Sequence, residues 1–152
     1  MGMDVCGKGN KDAYFRNNVW WWRPLADYCV KVAPEITKEC VYWHSNDGDG
    51  LNGPDSLKLA DILEKECDSG RTADYMLVHE TERRNQPPVK CRICEGTGKR
   101  VPAPDTGAGW IECNGCNGEG TKQSMDTWYP FSVENVREFI DFLRDADGFE
   151  IW

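Results

Sequence analysis

Two short runs carry the residues best suited to chemistry: Cys91-Arg92-Ile93-Cys94-Glu95-Gly96-Thr97-Gly98 and Cys113-Asn114-Gly115-Cys116-Asn117-Gly118-Glu119-Gly120. Two cysteines three positions apart on a tight turn aim both sulfurs at one point. Two such turns facing each other make a tetrahedral four-sulfur cage, the donor set that Zn²⁺ prefers. Eighteen residues lie between Cys94 and Cys113, a zinc-ribbon spacing. Glycines after each second cysteine let the backbone take positive φ and turn N–H groups toward the thiolates. Four cysteines leave no open ligand position, so the expected cofactor is one structural Zn²⁺ held by Cys91, Cys94, Cys113 and Cys116. A redox CxxC is the competing reading, but such pairs usually come singly and beside a βαβ pattern.

The other candidates are sparser. Cys6, Cys29, Cys40 and Cys67 have no mutual ligand spacing and read first as buried thiols, with a second metal site alongside His44 or His79 as the alternative. His44 stands near Asp47 and Asp49, the one acid–base cluster an enzyme could use. Lys58 occupies the place where a calcium loop opening at Asp47 would need its bidentate Glu, so that motif fails. The run Trp20-Trp21-Trp22 is unusual: on a helix, three consecutive residues fan over about 200° and cannot all face one core. Either the helix is buried on several sides or a tryptophan stays exposed as an interface anchor. Trp20, Trp21 and Trp22, with Arg92, Lys99 and Arg100, are therefore the candidate partner-binding residues.

The elements that must position these groups read as an α+β body, with three or four helices on a small sheet made partly from the two chain ends. Met3–Cys6 alternates as a strand and ends in Gly7-Lys8-Gly9-Asn10. A helix runs from about Asn18 to Val32 before Pro34, with Asn17 or Asn18 as its cap, unless Pro24 delays its start to Arg23. Residues 41–56 read as loop, with Asp55 or Ser56 capping a helix to Asp68 that Gly70 stops. Residues 73–84 fit a short helix capped by Thr72, or a strand. Ser132 caps the last helix, and residues 149–152 form a terminal strand. Residues 1–88 and 123–152 together make the body. Residues 89–122 are an inserted zinc-binding hairpin, with Pro102, Pro104, Gly107 and Gly109 between its halves.

The repeated CxxCxGxG pattern resembles the cysteine-rich zinc region of DnaJ-type co-chaperones over residues 91–120. That family carries four repeats and two ions; two repeats here imply one site. A His-Pro-Asp tripeptide is absent, so the likeness implies the hairpin and its ligands, not co-chaperone activity. Separately, Met1–Val5, Gly7-Lys8 and Tyr14–Leu25 resemble a family of small proteins from bacteria and their phages, which implies a cytoplasmic accessory or phage-encoded protein.

Charge and composition narrow the function. The 152-residue chain carries a net charge of −8. Between positions 83 and 122, Arg83, Arg84, Lys90, Arg92, Lys99, Arg100 and Lys122 outnumber Glu95, Asp105, Glu112 and Glu119. That segment is +3 and the rest is −11. An acidic body disfavours general attraction to nucleic-acid backbones. No stretch approaches the roughly 20 apolar residues of a membrane span, and no basic-then-apolar leader opens the chain, so a cytoplasmic location is expected. Neither a phosphate loop, a Rossmann fingerprint, G-x-S-x-G nor H-E-x-x-H occurs. The leading expectation is a non-enzymatic, zinc-stabilised protein-interaction module, such as a phage factor that inhibits or modulates a host defence protein. A nucleic-acid-binding zinc protein using Arg83, Arg84, Arg92, Lys99 and Arg100 is the alternative. An enzyme built on His44, Asp47 and Asp49 is the third.

Overall fold

The computed structural model describes residues 2–100 and 109–152; Met1, Pro102, Pro104 and Gly107 lie outside them. In chain order the elements are β1 (Gly2–Gly7), β2 (Tyr14–Asn18), α1 (Val19–Val32), α2 (Pro34–Thr37), β3 (Gly50–Asn52), α3 (Gly53–Asp68), α4 (Arg71–Arg84), β4 (Val89–Lys90), β5 (Lys99–Arg100), β6 (Ile111–Glu112), β7 (Thr121–Lys122), a 3₁₀ turn (Met125–Trp128), α5 (Val133–Ala146) and β8 (Gly148–Ile151). The chain forms two compact units, one of residues 1–82 and 129–152, the other of residues 83–128. The class is α+β.

In the first unit an antiparallel sheet runs β2-β1-β8-β3, so strands from the two ends of the chain are central neighbours. Its register pairs Val5 with both Phe15 and Ile151, and Leu51 with Phe149. All of these are buried on one face, while Asp4, Tyr14 and Arg16 look the other way. A one-residue slip would exchange the faces, so the apolar alternation fixes the pairing. Helices α3 and α5 bring Leu59, Leu63, Val136, Phe139, Ile140 and Leu143 to the apolar face.

The helix ends are set locally. The Asn18 side chain accepts from the N–H groups of Trp20 and Trp21, which starts α1 at Val19 despite Pro24 inside it. Pro34, expected only to end that helix, also opens the four-residue α2. Asn52, not Asp55 or Ser56, caps α3: its Oδ1 accepts from Asp55 N–H at 2.9 Å. Residues 50–52, expected as loop, are strand because Leu51 lies opposite Phe149. The helix reading of residues 73–84 holds, but Thr72 sits inside α4, buried, with its hydroxyl 2.8 Å from the Tyr28 hydroxyl. Ser132 caps α5 as expected. The glycine-rich turn after β1 closes the passage from α5 into β8: Lys8, Gly9 and Asn10 N–H groups reach the oxygens of Gly148, which opens β8, of the helix C-cap Asp147 and of the last helical residue Ala146 at 2.9–3.2 Å. A Cβ on Gly9 would lie 2.2 Å from the Asp147 carboxylate, so a larger residue there would force that side chain to shift.

Trp22 is fully buried at the centre of this unit. Its indole N–H donates to the Trp43 carbonyl at 2.6 Å, and its ring packs against Trp43 and edge-on to Phe139. Truncation leaves a large cavity and an unpaired carbonyl. We expect Trp22→Ala to lower the unfolding free energy by about 3–5 kcal/mol, read as a fall in the urea midpoint without loss of the metal site.

Candidate metal centre

The second unit builds its site from two copies of one turn, offset by 22 residues. In each copy the residue after the second cysteine is left-handed, Glu95 at φ 51° and Asn117 at φ 50°. The N–H of Gly96 closes onto the Cys91 carbonyl at 3.2 Å, and that of Gly118 onto the Cys113 carbonyl at 3.1 Å. The last glycine of each motif then points its N–H at sulfur: Gly98 to Cys94 Sγ at 3.3 Å and Gly120 to Cys116 Sγ at 3.2 Å. These bonds stabilise thiolate charge.

The copies also hold each other. Cys91 N–H donates to the Gly120 carbonyl at 2.8 Å, and Cys113 N–H to the Gly98 carbonyl at 2.9 Å. Strand β4 pairs with β7, and β5 with β6, continuing the exchange outward. The turns meet backbone to backbone: a Cβ on Gly98 would lie 2.1 Å from the Gly118 oxygen, and one on Gly120 2.4 Å from the Gly96 oxygen.

The result is a buried four-sulfur cluster. Cys91, Cys94, Cys113 and Cys116 bring their sulfurs within 4.8 Å of one another. Two contacts decide what they suit. Cys91 Sγ lies 4.0 Å from Cys113 Sγ, and Cys94 Sγ 3.7 Å from Cys116 Sγ. A tetrahedral ion with metal–sulfur bonds of about 2.3 Å spaces its sulfurs about 3.8 Å apart. A disulfide needs about 2.05 Å. The four cysteines are free and arranged to hold a metal ion. Burial alone would raise the Cys94 thiol, but the N–H groups of Gly98 and Gly96 outweigh it and bring it down to about 6. Burial pushes Cys116 up to about 11, its bond from Gly120 being outweighed as the neighbouring sulfurs add to the rise. A proton on Cys116 is therefore one that a bound cation would displace.

The other expected residues fall elsewhere. Arg92 and Lys99 are exposed and Arg100 half-buried on this same unit. Trp22 is core; Trp20 and Trp21 are half-buried, Trp20 against the Tyr129 ring. His44 contacts Asp27 at 2.9 Å rather than Asp47 or Asp49. Asp47 accepts from the Ser45 hydroxyl. Asp49 accepts from Val41, Tyr42 and Gly50 N–H groups at 2.7–2.9 Å; although burial opposes its charge, these bonds hold its carboxyl below the usual range. Each of the three has a separate local partner. Burial lifts Cys29 far above an ordinary thiol and Cys40 to about 12. Among the described residues the only grouping with metal-ligand geometry is Cys91, Cys94, Cys113 and Cys116. No helix there is long and apolar enough to cross a membrane.

The residue-by-residue reading missed the apolar side chains this unit exposes: Ile93 and Ile111, with Trp110 at 69 % exposure. The available signal was their place in a segment with no core to receive them. No family model, curated protein or solved structure matches the chain, so the DnaJ-type likeness rests on the cysteine–glycine motifs alone.

Gly98→Ala and Gly120→Ala should each weaken metal affinity by about 10–100-fold, the range for lost supporting contacts at metal sites, as read by chelator competition. Gly70→Ala is the control. Gly70 also has positive φ, +83°, but nothing lies within 4 Å of its added Cβ, so metal affinity should not change.

Proposed function

We propose that this protein binds one structural Zn²⁺ through Cys91, Cys94, Cys113 and Cys116, and acts as a non-enzymatic protein-interaction module. The observation that carries the metal reading is the spacing of the four buried sulfurs, which matches the edge of a metal tetrahedron. A soft all-sulfur donor set favours zinc over hard cations such as Mg²⁺ or Ca²⁺. All four positions would be filled by protein, which leaves none for a substrate or an activated water. The chemistry supplied is therefore mechanical, a clamp on two turns.

The interaction reading draws on what the clamped unit displays. Ile93, Trp110 and Ile111 are exposed there beside Arg92 and Lys99. Aromatic and Arg anchors of this kind dominate protein interfaces. The finer reading, a phage factor that modulates a host protein, takes only its phage origin from the resemblance of the N-terminal residues to small bacterial and phage proteins, a resemblance that brings no activity with it. One observation favours a nucleic-acid partner instead: Trp110 is exposed on the unit that also carries Lys90, Arg92, Lys99 and Arg100, and an exposed ring can stack on a base. Fluorescence anisotropy with single-stranded oligonucleotides separates the two. Micromolar binding with a steep salt slope supports the nucleic acid; none at low salt leaves the protein partner.

The metal reading makes a sharper prediction. Chelation at neutral pH should collapse the amide dispersion of residues 89–100 and 109–122 while the sheet and helices of the first unit keep theirs. Acid should act in the same direction, because protons compete for the thiolates and affinity falls as pH falls. Unchanged spectra in a protein shown by mass to be metal-free would end the proposal.

A further inference from the structure

The sheet of the first unit has an open edge. Strand β2 is outermost, with β1 as its one neighbour. Gly7 N–H donates to the Ala13 carbonyl, and Asp4 exchanges both backbone bonds with Trp152 on the β8 side. Antiparallel pairing alternates, so Phe15 and Asn17 turn their backbone groups toward β1. The N–H and C=O of Tyr14 and Arg16 therefore point outward, away from the sheet. Such a row is a template for one more strand.

A groove of about 590 Å³ runs beside this edge, between β2 and α5. Phe15 and Phe142 line it together with Asp12, Glu138, Asp141 and Asp145. Glu138, Asp141 and Asp145 recur at helical spacing and make one exposed stripe on α5. No basic residue lines the groove. Arg137 and Arg144, also on α5, are spent elsewhere, on Asp68 and on Asp61 and Glu64. Among the described residues the four groove carboxylates have no ion pair.

We propose that this edge is a docking site for a basic, extended peptide segment of a partner protein, added to the sheet as a further strand beside β2. The backbone of Tyr14 and Arg16 would supply the strand pairing. Inward-facing Arg or Lys side chains would lay their aliphatic stems on Phe15 and Phe142 and carry their charges to the α5 stripe. Charge decides against the competing occupants. A second copy of the chain paired edge to edge would bring two acidic stripes together, and a nucleic-acid backbone would meet the same carboxylates. The groove belongs to the first unit, so the proposal does not rest on the metal reading.

The test uses the full chain and a short peptide alternating Arg and Thr, followed by fluorescence anisotropy at low salt. We expect micromolar binding, none for the matching Glu–Thr peptide, and amide shifts centred on Tyr14 and Arg16. Glu138→Lys with Asp141→Lys, both at exposed helix positions, should weaken binding at least ~10-fold. N-methylation of alternate peptide amides keeps the charge but removes the strand donors, and on the unaltered protein it should weaken binding by a similar factor. Binding should survive chelation. Equal affinity of the methylated peptide, equal affinity of the charge-reversed protein, loss of binding on chelation, or self-association through β2 would each overturn the proposal.

Discussion

The described residues of the 83–128 unit bury one apolar cluster, and it consists of four cysteine sulfurs. No leucine, phenylalanine or valine joins them. Burying a few thiols contributes little against the conformational entropy of ordering dozens of residues. A unit of this kind is held by metal–ligand bonds or not at all, because in such modules binding free energy is folding free energy. The local geometry follows from that one requirement. Glycine is needed where the two turns touch, left-handed backbone is needed after each second cysteine, and sulfur takes the N–H groups of Gly98 and Gly120.

The first unit obeys the opposite logic. Its stability comes from a conventional core, with Trp22, Phe139, Phe149, Leu59 and Leu63 among the side chains wholly removed from water. Its polar demands are met locally: asparagine and serine caps open α1, α3 and α5, and the turn at Lys8–Asn10 closes the end of the last helix. Asp49, whose placement near His44 invited a chemical role, spends both carboxylate oxygens on backbone N–H groups. Such a carboxylate organises a loop. The β2 edge lies beside an acidic groove, which is why that edge and not the His44 loop carries the inference about a partner.

The four-cysteine cluster was legible in the sequence because its geometry is local: three-residue spacing and trailing glycines determine each turn before any long-range contact forms. The α5 boundary was legible for the same reason, with Ser132 as its cap; at α1 the sequence left Asn17 and Asn18, and a start as late as Arg23, all open, and the structure selects Asn18. Apolar alternation suggested a strand at each terminus, but not that the two would pair, which takes the contact of Val5 with Ile151. Other features depend on neighbours distant in sequence. The three residues of β3 include Gly50 and Asn52 and look like loop until Leu51 meets Phe149 across β8. Asn52 beats Asp55 and Ser56 as a cap because the strand delivers it in extended backbone just before Gly53. The tryptophan run left core and interface open, since nothing local says that Trp22 alone would find the Trp43 carbonyl. The exposure of Trp110 has only an indirect signal in the sequence, the lack of apolar residues around it that could form a core.

X-ray absorption at the metal edge, on protein purified under reducing conditions, asks the central question most directly. A fluorescence edge for zinc with a single shell of four sulfurs at about 2.3 Å is the expected result. A shell containing nitrogen or oxygen, or metal-free protein whose four cysteines are joined as disulfides, would contradict it.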